Sequence, residues 1–219
     1  MLEQVKKQVL EIALKAERSG LCKHRAGNFS IRDEETGYIA VTPSGIDREE
    51  MTLHDICIVD LDAVVIEMKT DLKPTSELLV HLALYKNRPD INSVAHTHSR
   101  FATSFSIINK SIPAIVYECA ILGLKEGYVP VAPYGRPGTM DLAEKVANSA
   151  LISDLVLMES HGAIAVGKDA KEALLKANYI EELAEMYYRA LTLNQNIEPK
   201  VFDVEELNDW EYPKEIKLK

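Results

Sequence analysis

Residues 94–98 have the sequence Val-Ala-His-Thr-His, an apolar run that ends in two histidines one residue apart. Side chains alternate between the two faces of a β-strand, so a strand here would project His96 and His98 from the same face. A second apolar stretch, residues 155–166, is broken at residues 159–162 by Glu-Ser-His-Gly. This pattern predicts two strands joined by a turn that presents His161.

The three histidines are candidate metal ligands. Three imidazoles that leave a fourth position open form the ligand set of a catalytic zinc site, whereas closed structural sites are usually rich in cysteine. A histidine pair of this kind also occurs by chance, with its side chains used for packing or solvation. Both interpretations stay open on the histidines alone.

Glu77 ends the segment Lys-Pro-Thr-Ser-Glu at residues 73–77, which precedes apolar residues with helical spacing. The pattern predicts a helix start with a hydroxyl residue at the cap and an acid in the first turn. A carboxylate at this position can also have only a structural role, because its negative charge near the positive end of the helix dipole stabilises the helix. Near a divalent cation, the same carboxylate can ligate the ion or act as a general base.

Two glycine-containing segments offer further polar donors. Residues 25–30 are Arg-Ala-Gly-Asn-Phe-Ser, and residues 41–45 are Val-Thr-Pro-Ser-Gly. Glycine lets the backbone approach an anion closely, although each segment is also an ordinary turn signal. With Thr75 and Ser76 at a helix N-terminus, the two segments predict a phosphate-binding cradle. The sequence lacks both the dinucleotide-binding glycine motif and the phosphate-loop lysine motif.

Composition limits the class of protein. A chain of 219 residues with 47% hydrophobic content can bury one good core, so we expect a single domain over residues 1–219. The net charge of -9 argues against a nucleic-acid partner. Cys22, Cys57 and Cys119 are isolated and predict no disulfide framework, which favours a cytoplasmic location. A charged start and the absence of any membrane-length apolar run predict neither secretion nor a membrane partner.

Apolar spacing predicts a mixed set of elements. An amphipathic helix should precede Gly20, and residues 57–68 should form a hairpin. Further helices are predicted at about 76–87, 99–108, 139–151 and 169–193. Because adjacent hairpins forbid a purely parallel sheet, the predicted fold is α/β of the α+β type. It has a central mixed, mainly antiparallel sheet flanked by helices.

The C-terminal segment, residues 197–219, is predicted to be a mobile tail because it is short and charged. Trp210 and Tyr212 give an alternative interpretation, an aromatic lid that closes over the site and excludes water.

The chain resembles the class II aldolase/adducin family from its first helix to about Asn196. Seven motifs carry the resemblance, in the family's order and approximate spacing: Gly27-Asn28-Phe29-Ser30, Thr42-Pro43-Ser44-Gly45, Pro74-Thr75-Ser76-Glu77, His96-Thr97-His98, Ile112-Pro113-Ala114-Ile115-Val116-Tyr117, Ala132-Pro133-Tyr134 and His161-Gly162.

The resemblance implies a role for each motif. The three histidines would ligate one divalent ion per subunit, zinc first, with Mn²⁺ or Co²⁺ as alternatives. Glu77 would be the catalytic acid and base, and Tyr117 would reach the site from a neighbouring subunit to exchange the proton of the cleaved hydroxyl. The residues implied in phosphate binding are Gly27, Asn28, Ser44, Gly45, Thr75 and Ser76. Two residues depart from the family pattern: Thr75 replaces the usual serine, and Arg25 stands where a small or uncharged residue is common.

The implied activity is the reversible, zinc-dependent cleavage of a ketose 1-phosphate to dihydroxyacetone phosphate and a short aldehyde. The implied assembly is a homotetramer with active sites between subunits. Candidate substrates are the 1-phosphates of fuculose, rhamnulose, 5-deoxyribulose and methylthioribulose.

Three alternatives from the same family stay open. A methylthioribulose-phosphate dehydratase would keep a similar metal site. A pentulose-phosphate 4-epimerase usually has an aspartate in place of Glu77 and a His-Ala-Asp-Tyr segment after the metal pair, and this sequence has neither. An adducin-like binding module would have lost the metal ligands, which this sequence retains.

Overall fold

The structure is a computed structural model that describes residues 2–209. The helices are α1 (Glu3–Arg18), α2 (Leu78–Asn87), α3 (Arg100–Ile107), α4 (Met140–Ser149), α5 (Ala170–Leu193) and α6 (Val204–Asn208), with a short 3-10 helix at Tyr117–Ile121. The strands are β1 (Asn28–Arg32), β2 (Ile39–Val41), β3 (Cys57–Val59), β4 (Val65–Glu67), β5 (Ser93–Thr97), β6 (Ile112–Pro113), β7 (Tyr128–Val129), β8 (Val131–Ala132), β9 (Leu155–Met158) and β10 (Gly162–Gly167).

Eight of the described strands form one sheet in the order β4-β3-β2-β1-β5-β10-β9-β8. Its neighbouring strands are antiparallel, apart from β8 and β9, which run parallel. Strands β6 and β7 pair with each other in a small second sheet. The predicted mixed, mainly antiparallel sheet is confirmed, and β3 and β4 form the predicted hairpin.

Helices cover both faces of the large sheet. On β9, Leu155 and Leu157 pack into a cluster with α1, α3 and α5, whereas Val156 and Met158 pack into a second cluster with α2 and α4. Central strands with two covered faces need apolar side chains in both directions, and this explains why the run at residues 155–158 shows no alternation.

The predicted helices are present, with one correction at Glu77. The helix expected at about 76–87 begins at Leu78, so Glu77 occupies the N-cap position and not the first turn. The Leu78 N–H donates to the Thr75 carbonyl at 3.2 Å, and the Glu77 side chain makes no cap hydrogen bond. The carboxylate is therefore available for other contacts.

Part of the predicted tail packs on the core. The Phe202 N–H donates to the Ala114 carbonyl at 2.9 Å, and α6 buries Leu207 in the cluster shared with α1 and α5. Trp210 and Tyr212, the residues of the lid alternative, lie outside the described residues. Across residues 2–209, no helix is both long enough and apolar enough to cross a membrane.

Candidate metal centre

The candidate site lies at one end of the sheet, where β1, β5 and β10 meet. His96 on β5 lies opposite Asn28 of β1 on one side and Ile164 of β10 on the other. Because β5 is hydrogen-bonded along both edges, the register of two neighbours fixes the position of His96.

The tautomer of His96 follows from its backbone partner. Its Nδ1 lies 3.0 Å from the carbonyl oxygen of Ala163, which can only accept a hydrogen bond, so Nδ1 carries the proton. The lone pair on Nε2 therefore faces the site. His98, one residue past the end of β5, is held by its backbone N–H, which donates to the Leu21 carbonyl at 3.2 Å.

His161 comes from the turn between β9 and β10, as predicted. Ser160 has a φ of 55°, a left-handed conformation that reverses the chain, and the His161 N–H donates to the Met158 carbonyl at 3.0 Å. The ring centroid of His161 lies 5.0 Å from that of His96 and 5.1 Å from that of His98. The three histidines thus form a triangle of imidazoles.

Glu77 completes the cluster. Its Oε2 lies 2.8 Å from His96 Nε2, and its Oε1 lies 3.2 Å from His161 Nε2. One ligand atom from each of Glu77, His96, His98 and His161 lies within 4.8 Å of the others. The cap position of Glu77 places its carboxylate at the strand ends that carry the histidines.

The donor atoms of this cluster fit a divalent cation. His96 Nε2 lies 2.9 Å from His98 Nε2 and 2.8 Å from a carboxylate oxygen of Glu77. Glu77 Oε1 is buried and has no hydrogen-bond partner among the described residues. Lone pairs that converge in this way are stabilised when a positive charge lies between them, and three imidazoles with a carboxylate match the ligands that zinc and similar ions accept.

The surroundings of the candidate ligands favour the protonation states that metal binding requires. Burial, with smaller contributions from His96 and His161, lowers the pKa of His98 to about 3. Burial also lowers the pKa of His161. For Glu77, burial acts to raise the pKa, but His96, His161 and the Asn28 amide outweigh it and bring the pKa below its usual range. Near neutral pH, His98 and His161 are neutral and Glu77 is a carboxylate, as metal binding requires.

The cluster opens into a cavity of about 250 Å³. All six residues implied in phosphate binding line this cavity, together with Glu77, His98 and His161: Gly27, Asn28, Ser44, Gly45, Thr75 and Ser76. A larger cleft of about 400 Å³ near residues 200–206 has no histidine in its lining. The structure therefore brings the predicted anion-binding loops into one cavity with two of the predicted metal ligands, His98 and His161, and the third, His96, lies in the same cluster behind them.

Two loops of the cavity are joined to each other and to a cationic side chain. The Ser44 hydroxyl donates to the Pro74 carbonyl at 3.0 Å, which ties the second predicted loop to the start of α2. Arg25 Nη1 donates to the Gly45 carbonyl at 3.0 Å, so the departure noted in the sequence places a guanidinium in the cavity lining.

Several residues of the site were not predicted from the sequence. Arg48 is buried and donates to the carbonyls of Ala26 and Gly27, so it holds the first predicted loop in place. His81 is fully buried and contacts Asn28, whose amide also donates to Glu77 at 3.2 Å. A histidine one helical turn after Glu77 was a usable signal, since buried polar groups need partners.

Tyr117 is not part of the cavity lining in the single chain. It begins the 3-10 helix and is 57% exposed. Its side chain is therefore not part of the hydrophobic core, although an apolar run precedes it. The side chain lies on the surface of the single chain.

Gly162 should be required for the approach of β10 to the histidines. A Cβ at this position would lie 2.4 Å from the Thr97 carbonyl oxygen and 3.2 Å from the His96 ring. We expect Gly162→Ala to weaken zinc binding about 10- to 100-fold, as for other changes that move metal ligands. Competition with a fluorescent chelator would measure the affinity of the folded variant.

Gly167→Ala is the matched control. At the other end of β10, its Cβ would lie 2.6 Å from the Ala173 backbone nitrogen. It should cost stability but leave the zinc affinity of the folded protein unchanged. An affinity unchanged in Gly162→Ala would show that the close approach does not position the ligands.

Comparison with known proteins identifies relatives over nearly the whole chain. The family model for the class II aldolase and adducin N-terminal domain matches residues 7–188. The chain is 34% identical over 209 residues to a 5-deoxy-D-ribulose 1-phosphate aldolase of Bacillus thuringiensis serovar kurstaki, covering 95% of this chain and 94% of that protein. It is 36% identical over 191 residues to the L-fuculose phosphate aldolase of Escherichia coli strain K12, covering 87% and 86%.

Solved structures give the same result. An L-fuculose 1-phosphate aldolase matches with a TM-score of 0.87 and 32% identity, covering 93% of this chain and 92% of that one. The L-fuculose-1-phosphate aldolase of Thermus thermophilus matches with a TM-score of 0.73 and 25% identity, covering 89% and 98%. The shared fold, the extent of the family match and the identity to these relatives lead to one conclusion: the chain belongs to the class II aldolase and adducin family.

Proposed function

We propose that the protein is a zinc-dependent aldolase that reversibly cleaves a ketose 1-phosphate to dihydroxyacetone phosphate and a short aldehyde in the cytoplasm. The observation that carries the proposal is that a cluster of three imidazoles and a buried carboxylate lies at a cavity lined by two loops with anion-binding character. L-Fuculose 1-phosphate is the first candidate substrate, and 5-deoxyribulose 1-phosphate is the second. The names of the relatives support these two candidates.

In this proposal His96, His98 and His161 hold the zinc ion, with Mn²⁺ or Co²⁺ as possible replacements. When bound, the ion supplies positive charge that stabilises negative charge on the substrate oxygens next to the carbon–carbon bond being cleaved. The Nδ1–H of His96 donates to a backbone carbonyl, so its Nε2 is kept in the form that can ligate.

Glu77 is the proposed acid and base. In the synthetic direction its carboxylate removes a proton from the carbon beside the carbonyl, and during cleavage it returns a proton to that carbon. Its pKa lies below the usual range, so it enters the synthetic reaction ionised. The Asn28 amide, which donates to Oε2 at 3.2 Å, orients the carboxylate between the histidines and the cavity.

The phosphate is proposed to bind at the other side of the cavity, where neutral donors meet the N-terminus of α2. The proposed contacts are Gly27, Asn28, Ser44, Gly45, Thr75 and Ser76. Backbone N–H groups and hydroxyls of this kind bind anions at helix N-termini. Arg25, anchored on the Gly45 carbonyl, adds positive charge beside them.

Tyr117 is proposed to act in the site of a neighbouring subunit of a homotetramer. Its exposure in the single chain, and its absence from the cavity lining of its own subunit, support this assignment. There it would exchange the proton of the hydroxyl that becomes the aldehyde.

The identity of the ketose depends on contacts with the aldehyde half of the substrate. Measuring kcat/KM across the 1-phosphates of fuculose, rhamnulose, 5-deoxyribulose and methylthioribulose tests the proposal directly. Dihydroxyacetone phosphate should be released from the best substrate. A dehydrated diketone as the product would identify a dehydratase, and no turnover with any of the four would count against a ketose 1-phosphate aldolase.

Metal binding should depend on the three histidines. We expect about one zinc ion per chain, as for other catalytic sites with three protein ligands. Chelation should abolish cleavage, and added zinc should restore it. His98→Ala should lose both the ion and the activity, as measured by elemental analysis and a coupled assay.

The exposed His54 provides the control for this change, because it lies outside the cluster. His54→Ala should keep one ion and full activity. Full activity in metal-free protein, or in His98→Ala, would rule out the zinc-dependent mechanism.

Glu77→Gln should lower kcat by about 100- to 10,000-fold, since an amide keeps the shape of the side chain but cannot exchange a proton. Stabilisation by phosphate in thermal unfolding should be largely kept. Glu144→Gln, the same change on the exposed face of α4, should have no effect. A decrease in kcat of less than about threefold would show that Glu77 is not the group that exchanges the substrate proton.

Two inactive variants should complement each other if the site is shared. In a ring with one repeated interface, a random equal mixture of Tyr117→Phe and Glu77→Gln chains leaves about a quarter of the sites with both residues intact. Subunit exchange should therefore restore about a quarter of the wild-type activity per site. Each variant exchanged with itself is the control. No recovery, with exchange verified by mass spectrometry, would place Tyr117 in its own chain's site or outside the reaction.

A further inference from the structure

A buried chain of hydrogen bonds leads from the core to Glu77. Tyr85 Oη lies 2.8 Å from Ser30 Oγ, which lies 2.7 Å from His81 Nδ1. His81 Nε2 lies 2.5 Å from Asn28 Oδ1, and Asn28 Nδ2 donates to Glu77 Oε2 at 3.2 Å. All five residues are buried, with exposed fractions of 7% or less.

Two backbone periodicities build this chain. Glu77, His81 and Tyr85 are spaced by four residues, which places them along one side of α2. Asn28 and Ser30 are two residues apart on β1 and therefore face the same side of the sheet. Packing α2 against β1 interleaves the two rows, so each strand residue lies between two helix residues.

The groups that can only accept a hydrogen bond fix the direction of every hydrogen bond in this chain. The Glu77 carboxylate can only accept, so the Asn28 amide must turn its NH₂ group toward it. The Asn28 oxygen then faces His81, whose Nε2 must carry a proton. His81 Nδ1 is left as an acceptor for the Ser30 hydroxyl, and Ser30 accepts in turn from Tyr85.

We propose that His81 is a positioning residue that, as its Nε2–H tautomer, holds the Asn28 amide with its NH₂ group toward Glu77 and so fixes the carboxylate that exchanges the substrate proton. This inference rests on the proposed role of Glu77. His81 does not line the cavity and acts only through Asn28.

The alternative orientation of Asn28 shows why a donor is needed. The two ends of an amide have nearly the same shape, so nothing but hydrogen bonding opposes a half-turn of the side chain. A half-turn would place the Asn28 oxygen against the Glu77 carboxylate, with repulsion in place of a hydrogen bond. Burial lowers the pKa of His81 to about 3, so the imidazole is neutral at neutral pH and its single proton is directed to Asn28.

Two substitutions of His81 test its role in the zinc-loaded protein. His81→Phe removes the donor, and we expect kcat to fall about 10- to 100-fold, the usual range for residues behind a metal site. Zinc content should stay close to wild type. His81→Gln, whose amide can still donate to Asn28, should recover most of the kcat.

Tyr85→Phe is the matched control. It removes a buried polar group from the same helix, but Ser30 can still donate to His81. It should cost stability in thermal unfolding and leave kcat unchanged. The proposal is wrong if folded His81→Gln is as impaired in kcat as His81→Phe, or if Tyr85→Phe is equally impaired. Either result would show that these buried side chains contribute only to packing.

A double-mutant cycle separates this proposal from the role of Glu77. In a Glu77→Gln background, His81→Phe should cause no further loss of kcat, because the group that it positions is already absent. Additive losses would overturn the role of His81 and leave that of Glu77 intact. A fully active Glu77→Gln protein would instead overturn the proposed function itself.

The tautomer can be observed without an activity assay. Long-range proton–nitrogen correlation spectra of histidine-labelled protein distinguish the two neutral ring forms. We expect His81, assigned by its loss in His81→Gln, to be protonated at Nε2 at neutral pH, with a slowly exchanging proton. A proton on Nδ1, or on both nitrogens, would contradict the direction of the hydrogen bonds and overturn the proposal.

Discussion

The Glu77 carboxylate, buried against three imidazoles, is the constraint on which the rest of the structure depends. In the neutral form that can bind a metal, His96 carries its proton on Nδ1, and its Nε2 presents a lone pair to a carboxylate oxygen 2.8 Å away. In a protein interior, where charge is poorly screened, lone pairs and a negative charge that face one another are unfavourable unless positive charge lies between them. The scaffold must therefore hold together groups that do not attract one another.

The central position of β5 in the sheet helps to hold these groups together. His96 lies on β5, which is paired on both edges. The turn between β9 and β10 places His161 just before the start of β10, which is adjacent to β5. Close backbone approach is needed as well. At Gly27, whose φ is +76°, a Cβ would lie 2.6 Å from the His96 carbonyl oxygen. The first predicted anion-binding loop can therefore lie against the backbone of His96 only because this residue is glycine.

Local patterns account for what the sequence could predict. Strand alternation and helical spacing act within a few residues, so they were sufficient for the histidine pair, the turn at His161 and nearly every helix. The contacts of Arg48 and His81 join residues 21 to 53 positions apart, and no local pattern encodes such pairing. Tyr117 is exposed because it begins a 3-10 helix, and the apolar residues before it in the sequence give no sign of that turn. Roles for individual residues came from the family resemblance and not from spacing.

The interleaving of α2 with β1 explains why asparagine is suited to position 28. Its oxygen meets His81, and one N–H meets Glu77, which leaves a second N–H on the side chain that lines the cavity. In the proposed function, phosphate would accept from that group, so one amide would contact both the anion and the proton-transferring carboxylate. An aspartate could not replace it, because it has no N–H and would place a second negative charge beside Glu77. In the proposed function, the same side chain would thereby link substrate binding to the orientation of the Glu77 carboxylate.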